Sequence, residues 1–226
     1  NKIWLAQGSA PHQLQAVVEE AKKLGVMYQF VDRRKLDQMV DKDIRHQGVI
    51  AQAAPYEYAD LEDLFQVAEE RGEAPFFVIL DEIEDPHNLG SVIRTVECAG
   101  AHGVIIPKRR SAQVTAVVAK TSAGAAAFVP VARVSNLAQA IDALKQRGVW
   151  IAGADAAAEQ TAYDADLTGP LAIVIGSEGR GLSRLIREKC DYLVKLPLLG
   201  RIQSLNASVA AGILLYEAVR QRTARG

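Results

Sequence analysis

The chain has 226 residues, 49% of them hydrophobic and 23% charged, with a formal net charge of −1. That apolar content excludes a disordered chain, and 17 Gly, 8 Pro and 2 Cys exclude collagen-like and disulfide-scaffold classes. No apolar run is long enough to span a bilayer, so neither a membrane helix nor a membrane partner is expected.

Residues 1–54 read strand–helix–strand–helix–strand, a small α/β unit. Ile3–Ala6 is a short apolar run. Pro11 opens a helix whose Leu14, Val17, Val18, Ala21 and Leu24 recur at helical spacing, with Gly25 as its stop. Val26–Val31 reads as a strand, Arg33–Val40 as a short helix and Val49–Ala51 as a strand. Residues 55–74 are acidic, bounded by Pro55, Gly72 and Pro75, and carry an amphipathic helix through Leu61, Leu64, Phe65 and Ala68. They are expected to link two domains.

From Phe76 the pattern alternates. Strands are expected at 76–80, 104–106, 127–134, 149–153, 171–175 and 192–196. Helices are expected at 89–99, 111–120, 136–147, 182–189 and 205–222. The continuous apolar runs are those of strands covered on both faces, so the alternation predicts a mostly parallel sheet between helix layers. Ligands in such sheets sit at the C-terminal ends of strands.

Three loops follow predicted strands. In the first, Asp85 to Arg94, Asn88 is placed as a helix N-cap, and Gly90 shares a helix face with Arg94, where bare backbone would admit a substrate. An ordinary capped helix with a surface Arg is the alternative. The second, Gly176-Ser177-Glu178-Gly179-Arg180-Gly181, has three glycines but neither a dinucleotide fingerprint nor a P-loop. Glu178 would repel phosphate and suits a hydroxyl or cationic ligand; a tight turn is the alternative. In the third, Ser204 or Asn206 caps the last helix, and Leu196 to Leu205 offers either core packing or an apolar wall for a purine ring.

The charge balance argues against a nucleic-acid binder, but its distribution is uneven. The first 72 residues are net acidic and the remainder net basic, with clusters at Lys108-Arg109-Arg110, at Arg180, Arg184 and Arg187, and at Arg220, Arg222 and Arg225. Each reads as a solvated face; together they suit phosphate. His12, His46, His87 and His102 are scattered, so no metal site is expected. Cys98 and Cys190 read as buried or partly buried thiols of a reducing compartment, with the cytoplasm as the default.

Asn88-Leu89-Gly90 with Arg94, Gly176-Ser177-Glu178-Gly179, and Ser204-Leu205-Asn206-Ala207-Ser208 together resemble the three motifs of the SpoU family, within the knotted SPOUT superfamily. The N-terminal unit, including Arg45-His46-Gln47-Gly48, resembles the ribosomal-protein-like RNA-binding domain of many members, without its first helix. The resemblance implies a domain at 1–54 that binds RNA substrate, a linker at 55–74 and a methyltransferase domain at 75–226 whose C-terminal part forms a trefoil knot. It implies S-adenosylmethionine as cofactor, held by Gly176, Leu196, Ile202, Ser204 and Leu205. It implies Arg94, Asn88, Glu178 and Asn206 as catalytic residues. RNA contacts are expected from Arg45, His46, Gln47, Lys108, Arg109 and Arg110, in a homodimer.

The implied reaction is methyl transfer to a ribose 2′-hydroxyl, of a guanosine of 23S ribosomal RNA. Transfer RNA is the alternative substrate, and a noncatalytic RNA-binding or ribosome-assembly protein the alternative class. A dinucleotide-dependent enzyme is disfavoured by the missing fingerprint and by Glu178. Arg94 is expected to clamp a phosphate or the developing alkoxide, because a guanidinium has no acceptor with which to act as a base.

Overall fold

The computed structural model describes residues 1–8, 11–41, 45–52 and 54–224, and the chain divides into two compact units, Asn1–Pro55 and Tyr56–Gly226. In the first, β1 (Lys2–Ala6) lies between β2 (Met27–Val31), which runs parallel to it, and β3 (Val49–Gln52), which runs antiparallel. Helices α1 (Pro11–Lys23) and α2 (Arg33–Met39) join them. Asp32 caps α2 by accepting from the Arg34 N–H at 2.8 Å. The unit's core is small and centres on Ala6, Val31 and Leu36.

The second unit holds a six-stranded sheet in the order β6-β5-β4-β8-β7-β9, and every pairing in it is parallel. Its strands are β4 (Phe76–Leu80), β5 (Gly103–Pro107), β6 (Val131–Val134), β7 (Trp150–Ala154), β8 (Leu171–Ile175) and β9 (Tyr192–Val194). The helices are α3 (Leu61–Arg71), α4 (Pro86–Cys98), α5 (Ala116–Thr121), α6 (Leu137–Gln146), α7 (Arg184–Lys189) and α8 (Ala207–Ala224).

Strand alternation sorts the core into two layers. Phe76, Val78 and Leu80 of β4 and Leu171, Ile173 and Ile175 of β8 pack with α4 and α8. Phe77 and Ile79, with Ala172 and Val174, face α3, α6 and α7 on the other side. The acidic stretch expected as a spacer therefore carries a core helix of the second unit. Leu64, Phe65 and Ala68 of α3 are buried, and a reciprocal Asp60–Asp63 capping box starts the helix.

Several boundaries differ from the sequence reading. Helix α4 begins at Pro86 and is capped by Asp85, so Asn88 lies inside its first turn rather than at its cap. Residues 108–115 are not helical; α5 starts only after Thr115. A single 3-10 turn at Ala125–Ala127 precedes β6, leaving Phe128 exposed. Cys98 is exposed, because the last turn of α4 turns Arg94, Glu97 and Cys98 to solvent. Cys190 is partly buried, and burial pushes its thiol up to about 12, so it stays protonated at neutral pH.

Candidate active site and cofactor cleft

Strand order reverses between β4 and β8, and the loops that leave both strands meet there. Glu178, in the loop after β8, accepts at Oε1 from Asn88 Nδ2 at 3.1 Å and from the Ala207 N–H at 3.1 Å. Asn206 Nδ2 donates both to that same Glu178 oxygen and, at 2.9 Å, to Asn88 Oδ1. Its Oδ1 accepts from the Ser208 and Val209 N–H groups at 3.0 and 3.2 Å, and from Ser208 Oγ at 2.6 Å. Asn206 thus caps α8 with its oxygen and spends both amide hydrogens on the other two motifs. The Glu178 carboxylate sits at the positive end of an 18-residue helix. Three segments far apart in sequence are clamped at one point, and of the two expected caps of α8, Asn206 serves rather than Ser204.

Beside the clamp, at the C-terminal ends of β7, β8 and β9, lies a cleft of about 600 Å³. Ile175, Leu196, Leu198, Leu205 and Leu214 give it apolar walls, and Ser177, Gln203 and Ser204 give it polar edges. Its volume falls within the range that small-ligand sites occupy. Gly176 is required by the backbone: a Cβ there would lie 2.2 Å from the Gly181 carbonyl carbon and 2.4 Å from the Leu182 nitrogen. The loop closes on itself through Ser177 N–H to Gly181 O (3.1 Å) and Gly181 N–H to Ser177 O (2.9 Å). The glycine loop is thus a tight turn and also one wall of the cleft. Ser177 Oγ is buried in that wall with no hydrogen-bond partner among the described residues. A buried hydroxyl in this state calls for a polar ligand atom or a water.

Of the residues expected to hold a cofactor, Gly176, Leu196, Ser204 and Leu205 line the cleft, and Ile202 does not. Asp155 lines it as well, and the sequence reading missed it. Arg187 Nε donates to Asp155 Oδ2 at 2.6 Å and the Ala157 N–H to Oδ1 at 2.8 Å. Its place at the C-terminal end of a predicted strand was the available signal. Asp81, also missed, is buried at the end of β4 and accepts from the Ser183 N–H at 2.7 Å, fixing the start of α7.

Arg94 is exposed on α4 and forms no hydrogen bond or ion pair with any described residue. Gly90, one helical turn before it, is not open to solvent: it is buried against α5, where a Cβ would lie 2.7 Å from Thr121 Cβ. The missing side chain serves helix packing, not substrate approach. Lys108 and Arg109 are exposed after β5, and Arg110 pairs with Glu82 at 2.9 Å. In the first unit Arg45 and Gln47 are exposed, but the His46 side chain is 6% exposed. Its Nε2 meets Asp37 at 2.9 Å and its Nδ1 accepts from the Gly48 N–H, so it braces the turn. Among the described residues no group of three or more His, Cys, Asp or Glu is placed to hold a metal ion, and no helix is long and apolar enough to cross a membrane.

Residues 75–216 match the SpoU rRNA Methylase family, and residues 1–59 match the RNA 2′-O ribose methyltransferase substrate-binding family. A Bacillus subtilis protein named as belonging to the TrmH family of tRNA/rRNA methyltransferases, YacO, is 55% identical over 225 residues, covering 100% of this chain and 90% of its own length. A TrmH family relative from Staphylococcus haemolyticus is 49% identical over 222 residues, covering 98% and 88%. Among solved structures, the SpoU methyltransferase AviRb from Streptomyces viridochromogenes, in complex with AdoMet, superposes with a TM-score of 0.79 at 27% identity, covering 99% of this chain and 83% of that one.

Proposed function

The chain belongs to the SpoU rRNA methylase family, and from this premise we propose that it methylates the ribose 2′-hydroxyl of a guanosine in 23S ribosomal RNA. The observation that carries the reading is the Asn88–Glu178–Asn206 clamp beside a cleft of nucleoside size. S-adenosylmethionine, the AdoMet of the AviRb structure, fits that cleft. Its adenine would lie against Leu196 and Leu205, and Ser177 Oγ and the polar edge at Ser204 would meet its hydrogen-bonding groups. When bound it supplies an activated methyl group.

The chain's own task is alignment and proton handling. In-line positioning of two reactants removes roughly 7–11 kcal/mol of barrier in favourable cases. The clamp fixes Asn88 and Asn206 in one amide orientation, and the second Glu178 oxygen, which has no hydrogen-bond partner among the described residues, is available to a ribose hydroxyl donor. Arg94, exposed and paired with no described residue, is suited to hold a phosphate or the alkoxide as it forms. Residues 1–54 select the RNA, with exposed Arg45 and Gln47 among its contacts, and Lys108, Arg109 and Arg110 add phosphate contacts.

A homodimer completes the reading. Val209, Ile213 and Tyr216 form an exposed stripe at helical spacing on α8, 49%, 36% and 51% exposed. Covered by a second copy, that face would bring partner groups toward Arg94 on the neighbouring α4. Light scattering should give twice the chain mass, and a monomer at working concentration would remove this part. The compartment that suits the substrate is the cytoplasm.

The direct test is methyl transfer from labelled S-adenosylmethionine to unmodified ribosomal RNA, with digestion and mass spectrometry. A 2′-O-methylguanosine product is expected. A methylated base would overturn the ribose assignment, and a different 2′-O-methylated nucleoside or labelled transfer RNA would move the target.

A further inference from the structure

Two non-glycine residues near the clamp hold left-handed backbone: Glu82 at φ 58° and Arg110 at φ 53°. Such conformations cost about 1–2 kcal/mol per residue outside glycine and persist only where the surroundings enforce them. Here the two strained residues hold each other. Glu82, in the loop after β4, accepts from Arg110 Nη1 at 2.9 Å. Its other oxygen faces Arg180 Nη2, from the loop after β8, at 3.5 Å. The carboxylate is largely covered, 16% exposed, while both arginine side chains are 73% exposed.

One anchored carboxylate thus holds two guanidinium groups from separate loops, each keeping most of its surface toward solvent. Lys108 and Arg109 precede Arg110, and Arg180 also lines the cofactor cleft. An anion that met this edge would find several cations, the covered Glu82 carboxylate that holds two of them, and the exposed Glu84. We infer that Glu82 is a positioning residue that sets Arg110 and Arg180 as a paired clamp for one backbone phosphate of the RNA, next to the nucleotide to be methylated. The inference rests on the RNA-methyltransferase reading above. It adds Arg180 to the RNA surface and gives a covered carboxylate a part in binding a polyanion.

The sign of one substitution separates this from the opposite role. If Glu82 merely dilutes a basic surface, its removal strengthens RNA binding. If it sets the pair, its removal weakens binding although the protein becomes more positive. Glu82→Gln is compared with wild type for RNA affinity across a salt series, for KM against kcat, and for S-adenosylmethionine affinity by calorimetry. The expected result is an RNA Kd raised roughly three- to tenfold, with the slope of log K against log salt reduced by about one contact. The RNA KM should rise more than kcat falls, with cofactor affinity unchanged.

Glu82→Gly, which relieves the backbone strain, should lose RNA affinity to the same degree while still melting cooperatively. Glu82→Gln in an Arg110→Gln, Arg180→Gln background should add nothing further. Tighter RNA binding by Glu82→Gln, or an undiminished loss in the double-arginine background, would overturn the inference. A wild-type protein that bound cofactor but no RNA would remove the functional reading itself, and the phosphate clamp with it.

Discussion

In the first unit the described buried apolar residues are Leu5, Ala6, Leu14, Ala21, Val31 and Leu36, while Met27 and Phe30 of an edge strand remain exposed. In the second unit β4 and β8 are buried along their whole length, with a packed layer on each face. The difference follows from topology. A three-stranded sheet has one strand with two neighbours; six parallel strands between helices cover their centre completely. A thin unit is suited to lie along an extended partner. A thick one holds loops rigidly enough for chemistry, and the three motif loops all leave its strands.

The sharpest way to break this comparison is to remove chemistry without touching packing. Arg94→Ala should lower single-turnover methyl transfer roughly 10²–10³-fold, the range for loss of one charge-stabilising donor. Arg94 is exposed and pairs with no described residue, so the melting temperature should not move. Retained turnover would strip Arg94 of its role.

Packing can be removed without chemistry. Leu36→Ala should cost the first unit about 2–5 kcal/mol, the usual range for a buried leucine. Leu36 is fully buried in a core centred on three residues, so that loss is large for so small a unit. Calorimetry should show an earlier transition for the first unit, with the main transition in place. A single shifted transition would show that the units do not melt separately.

Glu178→Ala leaves the Asn88 and Asn206 amides and the Ala207 N–H without their shared acceptor. Loss of about 1–3 kcal/mol is expected from urea unfolding. Glu178→Gln, which keeps an acceptor oxygen, should recover most of it. Equal losses in the two variants would mean that charge at the end of α8, not the hydrogen bonds, holds the loops.

The smallest effect concerns pH. His102 is buried, its Nδ1 accepts from the Phe76 N–H at 3.0 Å, and Nε2 therefore carries the proton toward Glu73 at 2.9 Å. Burial lowers its pKa below the ordinary 6.5 despite Glu73. As pH falls below 6.5 the unfolded chain binds a proton that the folded chain does not. Stability contributed here is complete above that value and declines toward the lowered folded value. Melting followed from about pH 8 downward should show this slope in wild type and lose it in His102→Gln.

The sequence made the alternation of the second unit legible because its central strands β4 and β8 are unbroken apolar runs, and it made the three loops legible because they follow predicted strands. It misread boundaries where a cap competed with a better one: Asn88 is a fair cap, but Asp85 before Pro86 is a stronger start. It could not show that Gly90 is small for the sake of α5, since Thr121 is distant in the chain. For the same reason the partners of Asp155, Asp81 and Glu82 were invisible, since each lies far away in the chain; position at a strand end was the one signal Asp155 offered. The stretch 55–74 reads as a spacer by composition, yet Phe65 stacks edge-on against Phe77 with ring centroids 5.1 Å apart.

The central claim is that the cofactor is held by the clamped loops of the second unit alone. Calorimetric titration of S-adenosylmethionine into wild type, Leu36→Ala and Glu178→Ala tests it directly. One site per chain is expected, with the same Kd in wild type and Leu36→Ala and a Kd at least about tenfold weaker in Glu178→Ala, a difference of about 1.4 kcal/mol. Undiminished binding by Glu178→Ala, or an equal loss in Leu36→Ala, would contradict it.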